Sequence, residues 1–288
     1  MTSADQMPRM AARETNAASF ETCVSDCIPP DAIRLMWQVF FASRNRGISP
    51  EFHFPWIHDR HNLNCVCTVV DDGSIRTTAA ALILRHRPHS SGKKLGLIGL
   101  VCVAEKFRGL GLSTRLLEQT VELAKSQQLS HLVLWTTKPE VYEKLGFEAD
   151  STDMFGLVTR IGSRASEVEL TKNAAVGPVK EALLDGAPAF AKEVVRYSSF
   201  NGASISVCKS NSTQTLVEHA GPMDLVINLI DQVMPDTWNL NVPEHAPIIE
   251  ALNHNGYDTS LKPSAVRMTL ALDESDRQPG TIPFLDRI

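Results

Sequence analysis

The sequence predicts an α/β fold in which a mixed central sheet carries helices on both faces and a second α/β domain follows. Three observations lead to this prediction. Short runs of strand length, in which residues are all apolar or alternate between apolar and polar, are separated by segments in which apolar residues recur with helical spacing. A strongly apolar run leads into a glycine-rich loop and then an amphipathic helix. The last part of the chain partly repeats the order of elements found in the middle. Such an order is typical of layered domains built on a mixed sheet.

The first half of the chain opens with a helical pattern over residues 31–46, preceded by Pro29-Pro30. An aromatic- and histidine-rich segment, residues 48–64, is predicted to be a loop or a broken helix. Two alternating runs flank the turn sequence Asp71-Asp72-Gly73-Ser74, which predicts a hairpin. The predicted elements are strands at 64–70, 76–87 and 95–103, a helix at 112–128, a strand at 132–135, a short helix at 139–145 and a closing strand at 154–159.

A polar segment, residues 163–177, is predicted to be a linker between two domains. We therefore expect a flexible tail over 1–25, a first domain over 26–162 and a second domain over 178–288. Gly146-Phe147 recurs as Gly256-Tyr257 after a similar strand and helix, which indicates a degenerate internal duplication. In the second domain the pattern predicts helices at 178–197, 222–234 and 247–255 and strands at 203–209, 214–218, 238–242 and 265–272.

Composition and charge exclude several classes of protein. The net charge of the 288 residues is −5 at pH 7, which argues against a protein that coats nucleic acid. The apolar runs are shorter than the roughly 18 residues that span a bilayer. The first 20 residues lack the apolar core of a signal peptide. Six cysteines in a chain of this length do not form a disulfide scaffold, and a reducing cytoplasm is the expected location.

A glycine-rich loop with an adjacent cation separates the strand that ends at Val103 from the next helix. It has the sequence Arg108-Gly109-Leu110-Gly111-Leu112-Ser113. Free N–H groups at the start of a helix bind anions, and glycines let the main chain approach a diphosphate closely. A Walker-type loop requires Gly-Lys-Ser/Thr, which this loop lacks. A dinucleotide fingerprint would open the first strand–helix–strand unit of the chain, and this loop does not.

Two motifs in the chain resemble the GNAT superfamily of acyl-CoA N-acyltransferases. The family signature is Arg/Gln-x-x-Gly-x-Gly/Ala after a strand ending in valine; here it begins at Arg108, with Ser113 in the place of the final glycine or alanine. The family pattern Tyr-x-x-x-Gly-Phe is matched by Tyr142-Glu143-Lys144-Leu145-Gly146-Phe147. The resemblance covers residues 30–160 and implies a GNAT-like mixed sheet. Because the second domain shares only the order of elements, it is expected to be a degenerate GNAT-like copy.

The resemblance implies an acetyl-CoA-dependent N-acetyltransferase that uses no metal. The main chain of β-strand residues before the loop would pair with the pantetheine arm, and the loop amides would hold the pyrophosphate. Tyr142 matches the family tyrosine that protonates the departing thiolate as general acid. The amine would attack the thioester directly, so no covalent enzyme intermediate is required. The expected cofactor-binding residues are Val101, Cys102, Val103, Arg108, Gly109, Leu110, Gly111, Leu112, Ser113 and Thr114.

The general base is open at this stage. Some members of the family carry a glutamate on the strand before the short helix, but residues 132–137 contain none. His86 and His89 are candidates that would act directly or through water. The histidines of the segment 48–64 suit either an acceptor-binding wall or a metal site; they are His53, His58 and His61.

The acceptor and the acyl group are also open. We expect a small-molecule amine or an exposed protein amino group as the acceptor, and neither nucleic acid nor a membrane as a partner. The alternatives are a transferase that uses another acyl-CoA and a catalytically silent acyl-CoA-binding or regulatory module. The oligomeric state does not follow from the sequence.

Overall fold

One continuous twelve-stranded sheet forms the centre of the chain in its computed structural model. The structure describes residues 20–42, 65–71, 77–88, 92–162, 177–179, 193–210, 212–273, 279–280, 282 and 284–287. The strands are β1 (Phe20–Ser25), β2 (Cys65–Asp71), β3 (Thr78–Pro88), β4 (Lys94–Val103), β5 (His131–Thr136), β6 (Glu148–Arg160), β7 (Gly177–Val179), β8 (Glu193–Ser198), β9 (Ser204–Lys209), β10 (Gln214–Ala220), β11 (Thr237–Pro243) and β12 (Tyr257–Ala271). The helices are α1 (Pro30–Phe40), α2 (Leu112–Ser126), α3 (Glu140–Glu143), α4 (Met223–Val233) and α5 (Pro247–His254).

The strand order is β1-β2-β3-β4-β5-β12-β6-β11-β10-β9-β8-β7. The order is symmetric about its centre. Counted from one end, the strands are β1 to β5 followed by β12; counted from the other end, they are β7 to β11 followed by β6. The pairs β4–β5 and β10–β11 are parallel, whereas the other pairs are antiparallel. Strand β12 lies between β5 and β6, and β6 lies between β12 and β11. The last strand of each half therefore completes the sheet of the other half.

The predicted α/β class with a mixed sheet and helices is confirmed, and most predicted elements lie within a few residues of the observed ones. One helix prediction is wrong: residues 193–197 of the predicted helix 178–197 belong to β8, and residues 178–179 belong to β7. The sequence of β8, with two adjacent valines and a tyrosine, favours a strand once β9 is available as an antiparallel partner.

Two other boundaries differ from the predictions. The tail predicted over 1–25 overlaps β1, because Phe20–Ser25 pairs antiparallel with β2. The final strand begins at Tyr257 instead of residue 265, since its first residues pair with β6. The aromatic- and histidine-rich segment 48–64 and the linker residues 163–176 lie outside the described residues, so the domain boundaries stay predictions.

Helices cover both faces of the first half of the sheet. Helix α2 buries one side, which places five residues in or beside the core: Leu112, Leu116, Leu117, Thr120 and Ala124. This side packs with Leu82, Leu84 and Leu132 of the sheet. Helix α1 lies on the opposite face, where its apolar side contacts Ala81 and Ile83. Helices α4 and α5 cover the second half around Trp238 and Leu240.

A C-terminal segment, described at residues 282 and 284–287, contacts both halves of the sheet. Ile282 packs on Leu95, Leu97 and Val133 of the first half. The N–H of Leu285 donates to Glu218 Oε1 of β10, 3.0 Å away. These contacts anchor the segment to strands on both sides of the central β6–β12 pair.

Arg287 makes the most buried ionic contact of this segment. Its side chain is 15% exposed and pairs with Asp153 of β6, which is only 4% exposed. The guanidinium also lies over the ring of Trp135 at 4.2 Å and over that of Phe284 at 5.3 Å. A charge with so little solvent contact depends on its partner, because neither group can recover its hydration.

We expect Gly156→Ala to destabilise the protein by about 2 kcal/mol or more, because the close approach of β6 and β12 leaves no space for a side chain. A Cβ at Gly156 would lie 2.9 Å from Leu261 Cα and closer still to the carbonyl oxygen of Ser260. Urea unfolding at pH 7 measures the change. Gly162→Ala is the matched control, since no atom lies within 4 Å of the position that its methyl group would take. Equal midpoints for the two variants would contradict this packing.

The buried ion pair predicts a non-additive double-mutant cycle. Arg287→Gln should lower the free energy of unfolding by about 3 kcal/mol, because it leaves the Asp153 carboxylate buried without its counter-ion. Arg287→Gln combined with Asp153→Asn should cost clearly less than the sum of the single changes, by about 1 kcal/mol or more. Urea unfolding of the four proteins tests the coupling. Additive changes would show that the pair contributes nothing specific.

Candidate active site

Strand β4 carries a bulge three residues before its end. Ile83 of β3 faces Gly99, whereas Ala81 faces Cys102, so β4 has one residue more than β3 between these pairs. Leu100, inside this stretch, has a φ of 51°. A left-handed conformation at a leucine costs roughly 1–2 kcal/mol, which the surrounding pairing and packing must offset. The bulge bends the end of β4 relative to the rest of the sheet.

Beyond the bulge, β4 and β5 diverge. The two parallel strands pair only at Gly96 with Leu132 and at Leu97 with Val133. The later residues of β4 continue to pair with β3, but among the described residues no strand pairs with the side that faces β5. The result is a wedge-shaped opening whose wall is an unpaired strand edge. An extended chain with amide groups can pair with such an edge as an added strand.

The loop after β4 ends in an open helix start. Gly109 and Gly111 have φ values of 81° and 74°. Apart from their chain neighbours, no atom of the described residues lies within 4 Å of the position where either would carry a Cβ. The first main-chain hydrogen bond of α2 runs from the Arg115 N–H to the Gly111 carbonyl. The amides of Leu112–Thr114 precede it, and the exposed side chain of Arg108 adds a positive charge. This arrangement suits an anion such as a diphosphate.

Tyr142 lies on α3, half-buried against the same core cluster as α2. Its ring packs edge-on against Phe147, with 6.0 Å between centroids. Gly146, with a φ of 85°, ends the helical turn and lets the chain bury Phe147. Burial raises the pKa of Tyr142, and a hydrogen bond with the side chain of Thr136 opposes that rise. The phenol is therefore protonated at neutral pH.

Thr136 is a residue that the sequence prediction did not single out. It is the last residue of β5, and its hydroxyl accepts the N–H of Lys138 at 3.0 Å in addition to its contact with Tyr142. The only sign of this residue in the sequence is a hydroxyl side chain at the end of a predicted strand, six positions before Tyr142. That signal is common in turns and becomes specific only once α3 folds back onto β5.

Because β4 and β5 are parallel, the loop after β4 and the tyrosine after β5 lie at the same end of the two strands. Both strands end there, β4 at Val103 and β5 at Thr136. Val101, Val103 and Tyr142 all pack against one core cluster, on the face that α2 covers. The predicted cofactor-binding segments and the predicted catalytic residue therefore flank one opening.

Cys102 lies in this region without the properties of a nucleophile. It is 4% exposed, packs on the α1 side of the sheet and donates its thiol hydrogen to the carbonyl of Ala81, 3.6 Å away. Burial raises the pKa of the thiol to about 12, although the hydrogen bond with Ala81 opposes the rise. The thiol stays protonated at neutral pH. Cys102 contributes to the opening only through its main chain, which is part of the β4 edge that faces β5.

His86 does not lie at the opening. It pairs with Gly96, seven residues before the end of β4, which is about 23 Å along the strand. Burial and the charge of Lys94 lower its pKa, and a hydrogen bond with Gln127, just beyond the C-terminus of α2, opposes this shift. The interpretation of His86 as a base is therefore wrong. His89, His53, His58 and His61 lie outside the described residues.

Two features are absent from the part of the chain that the structure describes. No cluster of three or more histidine, cysteine, aspartate or glutamate side chains there is arranged to hold a metal ion. No helix in the same ranges is long and apolar enough to cross a membrane.

Comparison with known proteins agrees with this geometry. The model of the acetyltransferase (GNAT) family matches residues 30–147. A search of curated protein sequences gives no significant match.

Several solved structures share the fold over most of the chain. A GCN5-related N-acetyltransferase from Kribbella flavida superposes with a TM-score of 0.58 at 15% identity, over 88% of this chain and 72% of that one. One from Anabaena variabilis gives 0.60 at 12% identity, over 88% and 73%. A putative acetyltransferase from Pyrococcus horikoshii gives 0.58 at 14% identity and covers 93% of both chains.

At such identities the structures establish the fold, and the family model identifies the segment that carries the loop and the tyrosine. Residues 30–147 of this chain therefore match the GNAT acetyltransferase family, and the fold is GNAT-like over most of the chain's length.

Proposed function

We propose that the protein is an acetyl-CoA-dependent N-acetyltransferase that transfers the acetyl group to a primary amine. One observation carries the proposal: the wedge between β4 and β5 leads to a helix start whose two glycines face empty space. An elongated ligand with amides along its length and a diphosphate at one end matches both features. Acyl-CoA has this chemistry, and the family assignment of residues 30–147 supports it.

Different residues of the opening would contact the two parts of the ligand. The main chain of Val101–Val103 would pair with the pantetheine amides, because this edge of β4 has no strand beside it. The amides of Gly109–Thr114 and the side chain of Arg108 would hold the pyrophosphate. The absence of side chains at the two glycines is what lets the main chain reach those oxygens.

The reaction needs no covalent intermediate on the protein. The amine nitrogen attacks the acetyl carbonyl carbon, a C–N bond forms and the C–S bond breaks. The amine loses a proton to solvent or to a base that the described residues do not identify. Tyr142 gives its phenolic proton to the departing thiolate, and it is protonated at neutral pH because burial raises its pKa. The neutral, inward-packed thiol of Cys102 takes no part.

The acceptor class that fits is a small-molecule amine or an exposed protein amino group. We propose that the protein lies in the cytoplasm, because Cys27, Cys102 and Cys208 are free thiols. A different acyl group or a silent acyl-CoA-binding module are the competing functions. Release of coenzyme A from acetyl-CoA in the presence of a panel of amines separates them. A silent module would bind acetyl-CoA without amine-dependent release.

The second half of the sheet supports the proposal of a degenerate copy. Its strands repeat the order of the first half, and Gly256 has the same left-handed conformation as Gly146, with φ values of 79° and 85°. Leu252 stands four residues before Gly256, where the first half has Tyr142. We therefore expect one acetyl-CoA site and one reacting centre per chain.

Gly111→Glu should weaken coenzyme A binding at least about tenfold, or 1.4 kcal/mol, because it places bulk and negative charge where the pyrophosphate would sit. Calorimetric titration of the purified protein with coenzyme A and acetyl-CoA measures this, with saturation near one per chain expected for the unchanged protein. Gly256→Glu is the matched control: it has a similar φ and equally open surroundings, but it lies at the end of α5. Retained affinity in Gly111→Glu would contradict the placement of the pyrophosphate.

Tyr142→Phe should lower turnover by about 10²-fold or more while the affinity for coenzyme A changes little, because only proton donation is lost. Steady-state rates across pH, with calorimetry for binding, test this. The donor must be protonated and its pKa is raised, so turnover of the unchanged protein should fall only as the pH rises beyond the usual tyrosine range. Tyr197→Phe serves as the control. An unchanged rate at every pH would remove Tyr142 from the mechanism.

A further inference from the structure

The second half of the sheet has a cleft that corresponds to the wedge between β4 and β5. Strands β10 and β11 pair only at Thr215 with Asn239 and at Leu216 with Leu240, and then diverge. A cavity of about 850 Å³ opens at this divergence. Its size is in the range of sites that hold small molecules.

The bulge of β4 also has a counterpart in β10. Leu216 faces Val207 of β9, whereas Glu218 faces the adjacent Ser206, so Val217 is an extra residue on β10. In both halves the bulge follows the last parallel pair and bends the strand away from its neighbour. The second half has thus kept the geometry that creates an open strand edge, on β10 and on the facing side of β11.

The helix start beside this second cleft is closed. Gly221 precedes α4 with a φ of 101°, and a Cβ there would lie 2.6 Å from the carbonyl oxygen of Gly202 and 2.7 Å from Ala203 Cα. The turn between β8 and β9 thus fills the space that is empty at Gly109 and Gly111. The N-cap residue of α4 is Pro222, which has no N–H to offer. The start of α4 therefore offers a diphosphate less room and one amide fewer than the start of α2.

The lining of the second cleft has no excess of positive charge. Arg196 contacts Glu218 at 3.5 Å and donates from Nε to Ser206 Oγ at 3.3 Å. Arg287 is paired with Asp153. The charged side chains that line the cavity are three carboxylates and two guanidinium groups: Asp150, Glu218, Glu244, Arg196 and Arg287. An anionic ligand gains little from this balance, whereas an uncharged polar ligand meets many donors and acceptors.

The C-terminal segment forms one wall of the cavity. Ile282 and Phe284 contribute apolar surface, and Leu285 and Phe284 pack with Val217 and Cys208. The cavity therefore combines two strand edges with an apolar side. This combination suits a flexible chain with amides and methylene groups.

We propose that the cleft between β10 and β11 binds a linear, uncharged amide chain, namely pantetheine without its nucleotide. The two halves share the strand divergence and the bulge, and they differ in the part that would hold the diphosphate. The choice of pantetheine rests on the proposed function, since that function assigns the pantetheine arm to the equivalent cleft of the first half. The existence of a second site rests on the strand divergence, the bulge and the cavity, independently of the proposed function.

The test is a calorimetric titration of the full chain with reduced pantetheine, after saturation with coenzyme A to fill the first cleft. We expect further saturable binding near one pantetheine per chain. Ala220→Trp should weaken it at least tenfold, because Ala220 is an exposed residue that lines the second cleft. Ala271→Trp is the matched control, since Ala271 is also exposed and ends a strand outside the cavity. Urea unfolding checks that both variants fold.

Hydrogen exchange locates the site. Pantetheine should slow exchange of the amides at residues 217–220 and 241–242, with no change in the Ala220→Trp variant. Absence of binding to the coenzyme A-saturated protein, or binding that Ala220→Trp leaves unchanged, overturns the proposal. Tighter protection of the same amides by a capped tri-alanine peptide overturns the choice of ligand. If coenzyme A itself does not bind, the proposed function fails, while exchange at 217–220 still decides whether the second site exists.

Discussion

Strands β6 and β12 pair antiparallel from Arg160 opposite Tyr257 to Glu148 opposite Thr269, and this pairing makes one sheet out of two halves. Each strand belongs by sequence to one half and closes the sheet of the other. The two backbones approach so closely at Gly156 that a single methyl group would clash. The positions of β5 and β11, and with them the two clefts, are set by their pairing to this central pair.

The shapes of the two clefts are determined by the main chain. In both, parallel strands separate after two pairs and a bulge turns one strand away. In the first half the next loop leaves empty space at its glycines, whereas in the second half Gly221 is packed against the turn at Gly202. The two halves thus share the strand divergence and differ, at one neighbouring turn, in the space that an anion would need. This difference is the basis for expecting different ligands in the two halves.

Much of the fold was predictable because its signals are local. The apolar run of β4, the glycines before α2 and the tyrosine–glycine–phenylalanine spacing each depend on a few adjacent residues. The order of the strands was not predictable, since β5 and β12 are distant in the sequence and periodicity does not identify a strand's partner. The same lack of partner information explains the wrong helix prediction at β8, whose β-branched residues form a strand because β9 pairs with them.

At the candidate site, residue types were easier to predict than positions. The sequence predicts that the loop and Tyr142 belong to one site, and in the structure Tyr142 packs against the same core cluster as Val101 and Val103. Leu100 gives no sign in the sequence of its left-handed conformation, which glycine usually marks. Thr136 gains its contact with Tyr142 only through the fold. His86 lies near the start of β4, as its place in the sequence indicates, but the proposed reacting centre lies toward the other end of that strand.

The exchange of β6 and β12 has a consequence for how the chain is made. Strand β5 leaves the ribosome about 120 residues before β12, so the apolar edge of β5 lacks its native partner until β12 has been made. Folding must wait for a contact of high sequence separation, which slows it. During that interval the β12 of a neighbouring copy offers the same hydrogen bonds as the chain's own. The topology therefore makes strand-swapped assembly the characteristic competitor of correct folding.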